Sequence, residues 1–410
     1  MIIDTENIYQ EYINSHYPQF LRKLGINAPS VKAEGAIIED SMGKVFIDCV
    51  GGYGIFNLGH NNQQVIDALT DQLNRKQLLT RPLLNDVPAK LARCLSDIAP
   101  GDLCCSFVCN SGSEAIDNAL KLVRLIIGKK NIITGKNSFH GYTFGALSAS
   151  GIPTFRKAFE PLLPGFINVP FGEIDALKAK IVSSNVGAVL LEPVQHEAGV
   201  HLPPNGYFRK LREICDDFGI LLILDEVKTG FGKTGKMFAC EHFDIVPDIL
   251  VVGKSLGGGL MPIGGIISRK NLWKRFSLSF PMSASSYAGN VLACRAAIET
   301  INFIKGNDLI ELCRMKGNYL LKGLKKVSKK HQEIIKNVYG LGLLASINAN
   351  HPKLASRLVI EMIRDGILVL QAYGNPSHIM LEPPLVISYE QIDMVIEAFS
   401  NACVRVASGL

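Results

Sequence analysis

The sequence predicts an α/β fold with a mainly parallel sheet, and three observations carry that expectation. Between about residues 100 and 270, short apolar runs of strand type alternate with stretches of helical spacing, the pattern of βαβ units. Runs such as VGAVLL, LLILD and DILVVG are apolar throughout, as strands covered on both faces are. Polar and glycine-rich motifs stand just after these runs, at the C-terminal strand edge where such sheets bind ligands. The chain before and after reads as a hairpin, further strands and long helices. A smaller α+β domain built from both chain ends is therefore expected: residues 1–55 and 306–410, with 56–305 forming the large domain.

The totals bound the rest. A chain of 410 residues is long enough for two domains or one large α/β unit, and 47% hydrophobic with 20% charged residues is ordinary for a globular protein. The net charge of +6 is mild and dispersed, with no basic run interleaved with aromatics, so nucleic acid is not an expected partner. The N-terminus carries early acidic residues and no apolar core, unlike a signal peptide. No apolar run reaches the ~18 residues of a membrane span, so no membrane association is expected. Ten cysteines without a CxxC pair suggest reduced thiols and a cytoplasmic setting.

Taken in order, residues 1 to about 35 read as helical and then irregular. Ala36 to Cys49 alternates around the turn Asp40-Ser41-Met42-Gly43, a hairpin. CVGGYGIFNLGH, residues 49 to 60, reads as a loop against a pocket, with Tyr53 a candidate substrate contact, or as a tight turn with core aromatics. Val65–Leu78 and Asn85–Ile98 have helical spacing. Asn110-Ser111-Gly112-Ser113-Glu114 precedes a strongly amphipathic helix. Free backbone N–H groups at such a start, with the helix dipole, make an anion site; a plain N-cap at Ser111 or Ser113 is the simpler alternative.

Asn131–Gly135 reads as a strand, followed by SFHGYTFGALSAS, in which Phe139 could stack on a planar ligand or be a core phenylalanine. Val186–Val194 is an apolar strand that includes Glu192. The EPVQHEAGVHLPP segment that continues it has His196, Glu197 and His201 in the wrong spacing for a helical HExxH zinc site, so no metal is expected. Tyr207–Phe218 is a helix. Leu309–Lys329 is a long helix, Asn337–Asn348 a pair of strands around a glycine turn, Pro352–Arg364 a helix, and HIMLEPPLVIS a strand leading to a last helix from Tyr389. GLGLLA imitates part of a dinucleotide fingerprint but lacks the acidic partner and βαβ frame.

The stretch Leu221 to Gly259 organises the chain. Its first strand run ends in Asp225 and Glu226, and its second, DILVVG, leads into Lys254. Taken alone, the pair could be an ordinary acidic strand end and a surface lysine. A carboxylate and a lysine at neighbouring strand ends also suit pyridoxal phosphate (PLP). The lysine would hold the cofactor aldehyde as a Schiff base, and the aspartate would keep the pyridine nitrogen protonated, so that the ring acts as an electron sink.

LDEVKTGFGKTGKMFACEH followed by PDILVVGKSLGGGLMPIG closely resembles the signature of the class III (omega-type) aminotransferases, and the likeness runs over roughly residues 35 to 405. Within that family the chain looks most like the putrescine aminotransferases, through FIDCVGGYGIFNLGH, LPGFINVPFG, TGKMFACEH and GGGLMPIG. The resemblance implies a fold-type I PLP enzyme, a homodimer with shared active sites. By position it implies that Lys254 is the Schiff-base lysine, Asp225 the pyridine-nitrogen partner and Val227 the residue under the ring. Gly112 and Ser113 would form the phosphate cup, Phe139 would stack on the ring, and Ser286 would bind the phosphate of the neighbouring subunit's cofactor.

The chain departs from the family at four places. Lys228 stands where Gln usually donates to the cofactor's phenolic oxygen, and it could pair with Glu192. His196 replaces a glycine. Tyr142 follows Gly141 directly, where some relatives carry a cation nearby. Met380 replaces the arginine that binds a substrate carboxylate and otherwise pairs with the glutamate at Glu197. The expected reaction is transfer of a terminal amino group from a diamine or other primary amine to a keto acid, with Tyr53, Tyr142, Glu197 and Met380 at the substrate. The alternatives are an N-acetylornithine, ornithine or 4-aminobutyrate aminotransferase, a PLP aminomutase, or a PLP-binding scaffold without turnover.

Overall fold

The computed structural model describes residues 5–75, 83–128, 131–275 and 285–409. Near the N-terminus, β1 (Ser30–Glu34), β2 (Ile37–Asp40) and β3 (Val45–Asp48) form an antiparallel meander. The hairpin of β2 and β3 is as read. Strand β1 lies in a segment read as irregular; at a sheet edge and almost wholly exposed, it carries no alternation to betray it.

The central strands are β4 (Leu103–Cys109), β5 (Asn131–Gly135), β6 (Phe166–Val169), β7 (Val186–Leu191), β8 (Leu221–Asp225), β9 (Ile249–Val252) and β10 (Gly264–Arg269). They make one sheet in the order β4-β10-β9-β8-β7-β5-β6. From β9 across to β6 every neighbouring pair is parallel, and β10 runs antiparallel to both β9 and β4. The reversal follows from the connection. Only a short 3-10 turn and a glycine loop join β9 to β10, and a parallel return needs a crossover of a dozen residues or more.

Both faces of this sheet are covered, which explains the unbroken apolar runs. On β8, Ile223 packs with Ile116, Ala119 and Val123 of the helix Gly112–Ile127, while Leu222 and Leu224 face Phe208 and Leu211 of the helix Tyr207–Phe218. The helices over 63–98 each start at an asparagine N-cap. Asn62 caps Gln63–Asn74 by accepting from Val65 N at 3.2 Å, and Asn85 caps Asp86–Ile98 by accepting from Val87 N at 2.8 Å. The helix expected over 65–78 ends at Asn74 with its C-cap at Arg75; residues 76–78 of that expectation lie outside the described residues.

The remaining strands are β11 (Ile335–Leu341), β12 (Leu344–Ala349), β13 (Ile367–Leu368), β14 (Leu370–Gln371) and β15 (His378–Leu381). An antiparallel sheet has the order β11-β12-β15-β14, and β13 leaves it to pair in parallel with β3. The C-terminal chain thus completes the N-terminal sheet. Helices Leu309–Ser328, Pro352–Arg364 and Tyr389–Ala407 fall where helical spacing placed them, the last opened by a Ser388–Gln391 capping box. No helix among the described residues is long and apolar enough to cross a membrane.

Candidate active site

The parallel arrangement brings the C-terminal ends of β5, β7, β8 and β9 to one edge. Asp225 is the last residue of β8, and its Oδ1 accepts from the N–H of Val227 at 3.1 Å. His140, in the loop after β5, lies with Nδ1 2.7 Å from Asp225 Oδ2. Lys254 follows β9 with φ +46, a left-handed backbone that a lysine rarely adopts and that costs on the order of 1 kcal/mol or more. Glu192, one residue past β7, accepts from the N–H of Phe139 at 3.0 Å.

The helix Gly112–Ile127 starts beside these strand ends. Ser111 is its N-cap, accepting from Glu114 N at 3.1 Å, so the simple capping reading of the serine is correct. The cap leaves the N–H groups of Gly112 and Ser113 without a partner inside the helix, and both residues line a cavity of about 180 Å³. Gly141 closes the cup: it has φ +132, and a Cβ there would stand 2.1 Å from Ser113 Oγ. Tyr142 N donates to that same Ser113 Oγ at 3.2 Å. Phe139 lines the cavity and packs edge-on against Tyr142 and Phe155, with ring centroids 5.1 and 5.4 Å away.

A smaller cavity adjoins the first and shares His196 and Glu197 with it; Tyr53, Met380 and Glu382 line its other sides. Tyr53 and Tyr373 hydroxyls meet at 3.2 Å across its mouth. Here four charged or titratable side chains form a chain. His196 Nδ1 lies 3.2 Å from Glu197 Oε1, and its Nε2 lies 3.4 Å from Glu382 Oε1. Glu382 Oε2 in turn forms a close ion pair with Lys228 Nζ. The backbone at Glu382 is pinned by a second buried lysine, Lys233, whose Nζ donates to the carbonyls of Glu382 and Pro383 at 3.0 and 2.8 Å.

Residues 22–403 match the profile of the family described as Aminotransferase class-III. The chain belongs to the class III aminotransferases. Its fold is that of solved members. It is 28% identical to a transaminase from the marine bacterium Virgibacillus, with 99% of each chain covered and a TM-score of 0.93. It is 27% identical to the ornithine aminotransferase of Toxoplasma gondii ME49, covering 99% of this chain and 96% of that one at a TM-score of 0.92. The ω-transaminase of Pseudomonas jessenii in complex with PMP is 26% identical, with 93% of each chain covered and a TM-score of 0.88.

Class III aminotransferases are PLP-dependent, fold-type I enzymes, and the residues of this aminotransferase fit the cofactor. The cup of N–H groups at a helix start suits a phosphate, and the tight approach of Gly141 to Ser113 leaves no room for a side chain between them. Asp225 presents a carboxylate, and Lys254 an amine, to the same cavity. Of the residues singled out in the sequence, Gly112, Ser113, Phe139, Tyr142, Glu192, Glu197, Asp225, Val227, Lys228 and Lys254 line the larger cavity. Tyr53 and Met380 line the smaller one. Ser286 is exposed and lines neither; its neighbour Ser285 accepts from Asn110 Nδ2 at 2.7 Å, just before the cup.

One sequence expectation is corrected. Lys228 does not pair with Glu192; its ammonium is on Glu382. The electrostatics of the two carboxylates differ accordingly. Burial, with the charges of Asp225 and Glu197 nearby, pushes the Glu192 carboxyl well above the usual range, which favours its neutral form. Burial pushes Glu382 the same way, but the Lys228 and His196 charges outweigh it and hold that carboxyl far below the usual range. Lys228 thus keeps Glu382 ionised, while Glu192 accepts from the Phe139 N–H. Burial also opposes ionisation of Glu197, and its His196 hydrogen bond, with the Lys228 and Lys254 charges, reverses the effect. Burial lowers Lys228 from the usual lysine range, with Glu382 opposing.

Three residues of the site escaped the sequence reading. His140 was visible in SFHG but its aspartate stands 85 residues away. Lys233 and Glu382 meet across 149 residues. A glutamate set between a buried strand and two prolines, in MLEPPL, was the one signal that could have flagged Glu382.

Proposed function

We propose that this enzyme takes a terminal amino group from a donor whose far end is cationic, a diamine of the putrescine kind, and passes it to a keto acid. The observation that carries the reading is Met380. A thioether, not a guanidinium, lines the small cavity beside Glu197 and Glu382, and no arginine is among the described residues lining either cavity. The Glu197 carboxylate, kept ionised by its His196 hydrogen bond and the nearby lysine charges, attracts the distal ammonium of a diamine, and Met380 with the tyrosine pair offers apolar contact to its methylenes. An α-amino acid meets a carboxylate and a thioether instead.

In this reading Gly112 and Ser113 would hold the cofactor phosphate, and Phe139 and Val227, which line the same cavity, would pack against its ring. Asp225, oriented by His140, keeps the ring nitrogen protonated. PLP supplies the electron sink that lets the C–H bond beside the amine break. Lys254 would hold the cofactor, and its amine, free during turnover, would move the proton as general base and then acid. Ser286 reaches the phosphate of the second subunit in a homodimer.

A second reading, an ω-amino acid donor, is favoured by the likeness to ornithine aminotransferase. Absorbance separates the two. The yellow holoenzyme is mixed with putrescine, cadaverine, ornithine, N-acetylornithine and 4-aminobutyrate in turn. The diamines should bleach it fastest, and a keto acid should restore the colour. Faster bleaching by the amino acids would overturn the diamine reading, and no bleaching by any amine would leave a binding protein.

A further inference from the structure

A transaminase must accept, in one pocket, an amine donor and a keto acid whose carboxylate is always ionised. The second substrate demands a cation. Among the described residues lining the two cavities only Lys228 and Lys254 carry an ammonium, and Lys254 is committed to the cofactor and the proton. Arg81, another cation in the sequence, lies outside the described residues. Lys228 is 7% exposed, and its stem packs against Gly54, where a Cβ would stand 2.9 Å from Lys228 Cδ, so the absence of a side chain at 54 is what admits the lysine to this wall.

We infer that Lys228 is the specificity-determining cation that binds the carboxylate of the keto-acid acceptor, exchanging Glu382 for the substrate. The inference deepens the keto-acid half of the reaction proposed above and is independent of which amine is the donor. The arrangement of Glu382 makes the exchange feasible. Removing the partner of a buried charge is strongly destabilising, so a lysine held by one isolated carboxylate would not leave it. Glu382 is not isolated. Its Oε2 holds Lys228, while its Oε1 lies 3.4 Å from His196 Nε2, and the Lys233 ammonium fixes its backbone carbonyl. When Lys228 turns to a substrate carboxylate, Glu382 keeps His196. When the diamine occupies the pocket, Lys228 returns to Glu382 and its charge is neutralised, so it does not repel the distal ammonium near Glu197.

The test starts from holoenzyme in its amino-loaded form. Pyruvate and propanal share a carbonyl, but only pyruvate has a carboxylate; propionate has the carboxylate without the carbonyl. Lys228→Gln should lower kcat/KM for pyruvate relative to propanal by roughly 30-fold and weaken the propionate Kd, measured by calorimetry, by a similar factor. Lys228→Arg should restore most of both. Glu382→Gln, which removes the competing charge, should tighten propionate. The inference is overturned if Lys228→Gln slows pyruvate and propanal alike with the propionate Kd unmoved. It is equally overturned if the only change is in the pH titration of the holoenzyme absorption band, which would place Lys228 at the cofactor ring. Failure of the diamine reading would appear in the donor panel alone and leave these acceptor measurements intact.

Discussion

The two walls of the cavity are held by different forces. The wall that carries Asp225, His140, Glu192 and Lys254 is made from the ends of neighbouring parallel strands, so backbone hydrogen bonds place its groups. The wall of His196, Glu197, Lys228 and Glu382 joins two loops of the large sheet to the end of β15, and side-chain charges in a dry region hold it together. The first wall holds groups that the sequence resemblance assigns to the cofactor, and the second holds His196 and Lys228, which the sequence sets apart from the family pattern. Damage to the first should therefore appear in the chemistry, and damage to the second in stability and substrate choice.

The largest effect belongs to the first wall. Lys254→Ala removes the proposed general base and should reduce the single-turnover rate with the best amine by at least ~10²-fold, the lower end of what positioned acid–base groups contribute. Its thermal midpoint should stay close to that of the parent, because Lys254 lies after β9 and not in the packed core. Rates within tenfold of the parent would take the proton transfer away from Lys254.

The second wall should respond in the opposite sense. Glu382, 2% exposed, is the carboxylate of a buried ion pair, and Glu382→Ala leaves Lys228 charged and unpaired. The loss should be about 3–5 kcal/mol, read as a fall in the urea midpoint. The double variant Lys228→Met/Glu382→Leu should recover most of it, since a well-packed apolar pair can match a buried ion pair. A single variant as stable as the parent would mean that water already reaches this wall, and the contrast between the walls would fail.

The same contrast decides what could be read in the sequence. The strand runs, the helix caps and the lysine motif are local patterns, and each was legible because a few adjacent residues specify it. Even the order of the cofactor groups follows, since parallel strands with helical crossovers must place their ends on one edge. The Lys228–Glu382 pair was not legible. A lysine has a long flexible stem whose direction no neighbour in sequence dictates, and Glu192 stood at the adjacent strand end as the obvious candidate. Only the closure of β15 against β12 brings Glu382 into reach, while Glu192 accepts from the Phe139 N–H. Strand β1 was missed for a simpler reason, its nearly complete exposure. The antiparallel turn of β10 needed the length of its connection to be weighed.

The most sensitive probe of the second wall is a substitution that puts a cation where the sequence has Met380. Met380 is 5% exposed, packed against Val194, Val200 and Leu344, and faces the small cavity with Glu197 and Glu382. In Met380→Arg the guanidinium has two carboxylates within the same cavity, so it is not stranded, although its bulk should cost some stability through overpacking. With the guanidinium paired to Glu197, the distal ammonium of a diamine loses its counter-charge. A donor carboxylate gains a charge-assisted contact worth about 2 kcal/mol, roughly 30-fold in affinity. The ratio of half-reaction rates, ornithine or 4-aminobutyrate over putrescine, should therefore rise by roughly that factor, with the rate at Lys254 otherwise unchanged in its pH profile. If the ratio stays where it was, Met380 does not set the donor, Glu197 is held by His196 with no role toward substrate, and the second wall is a structural brace.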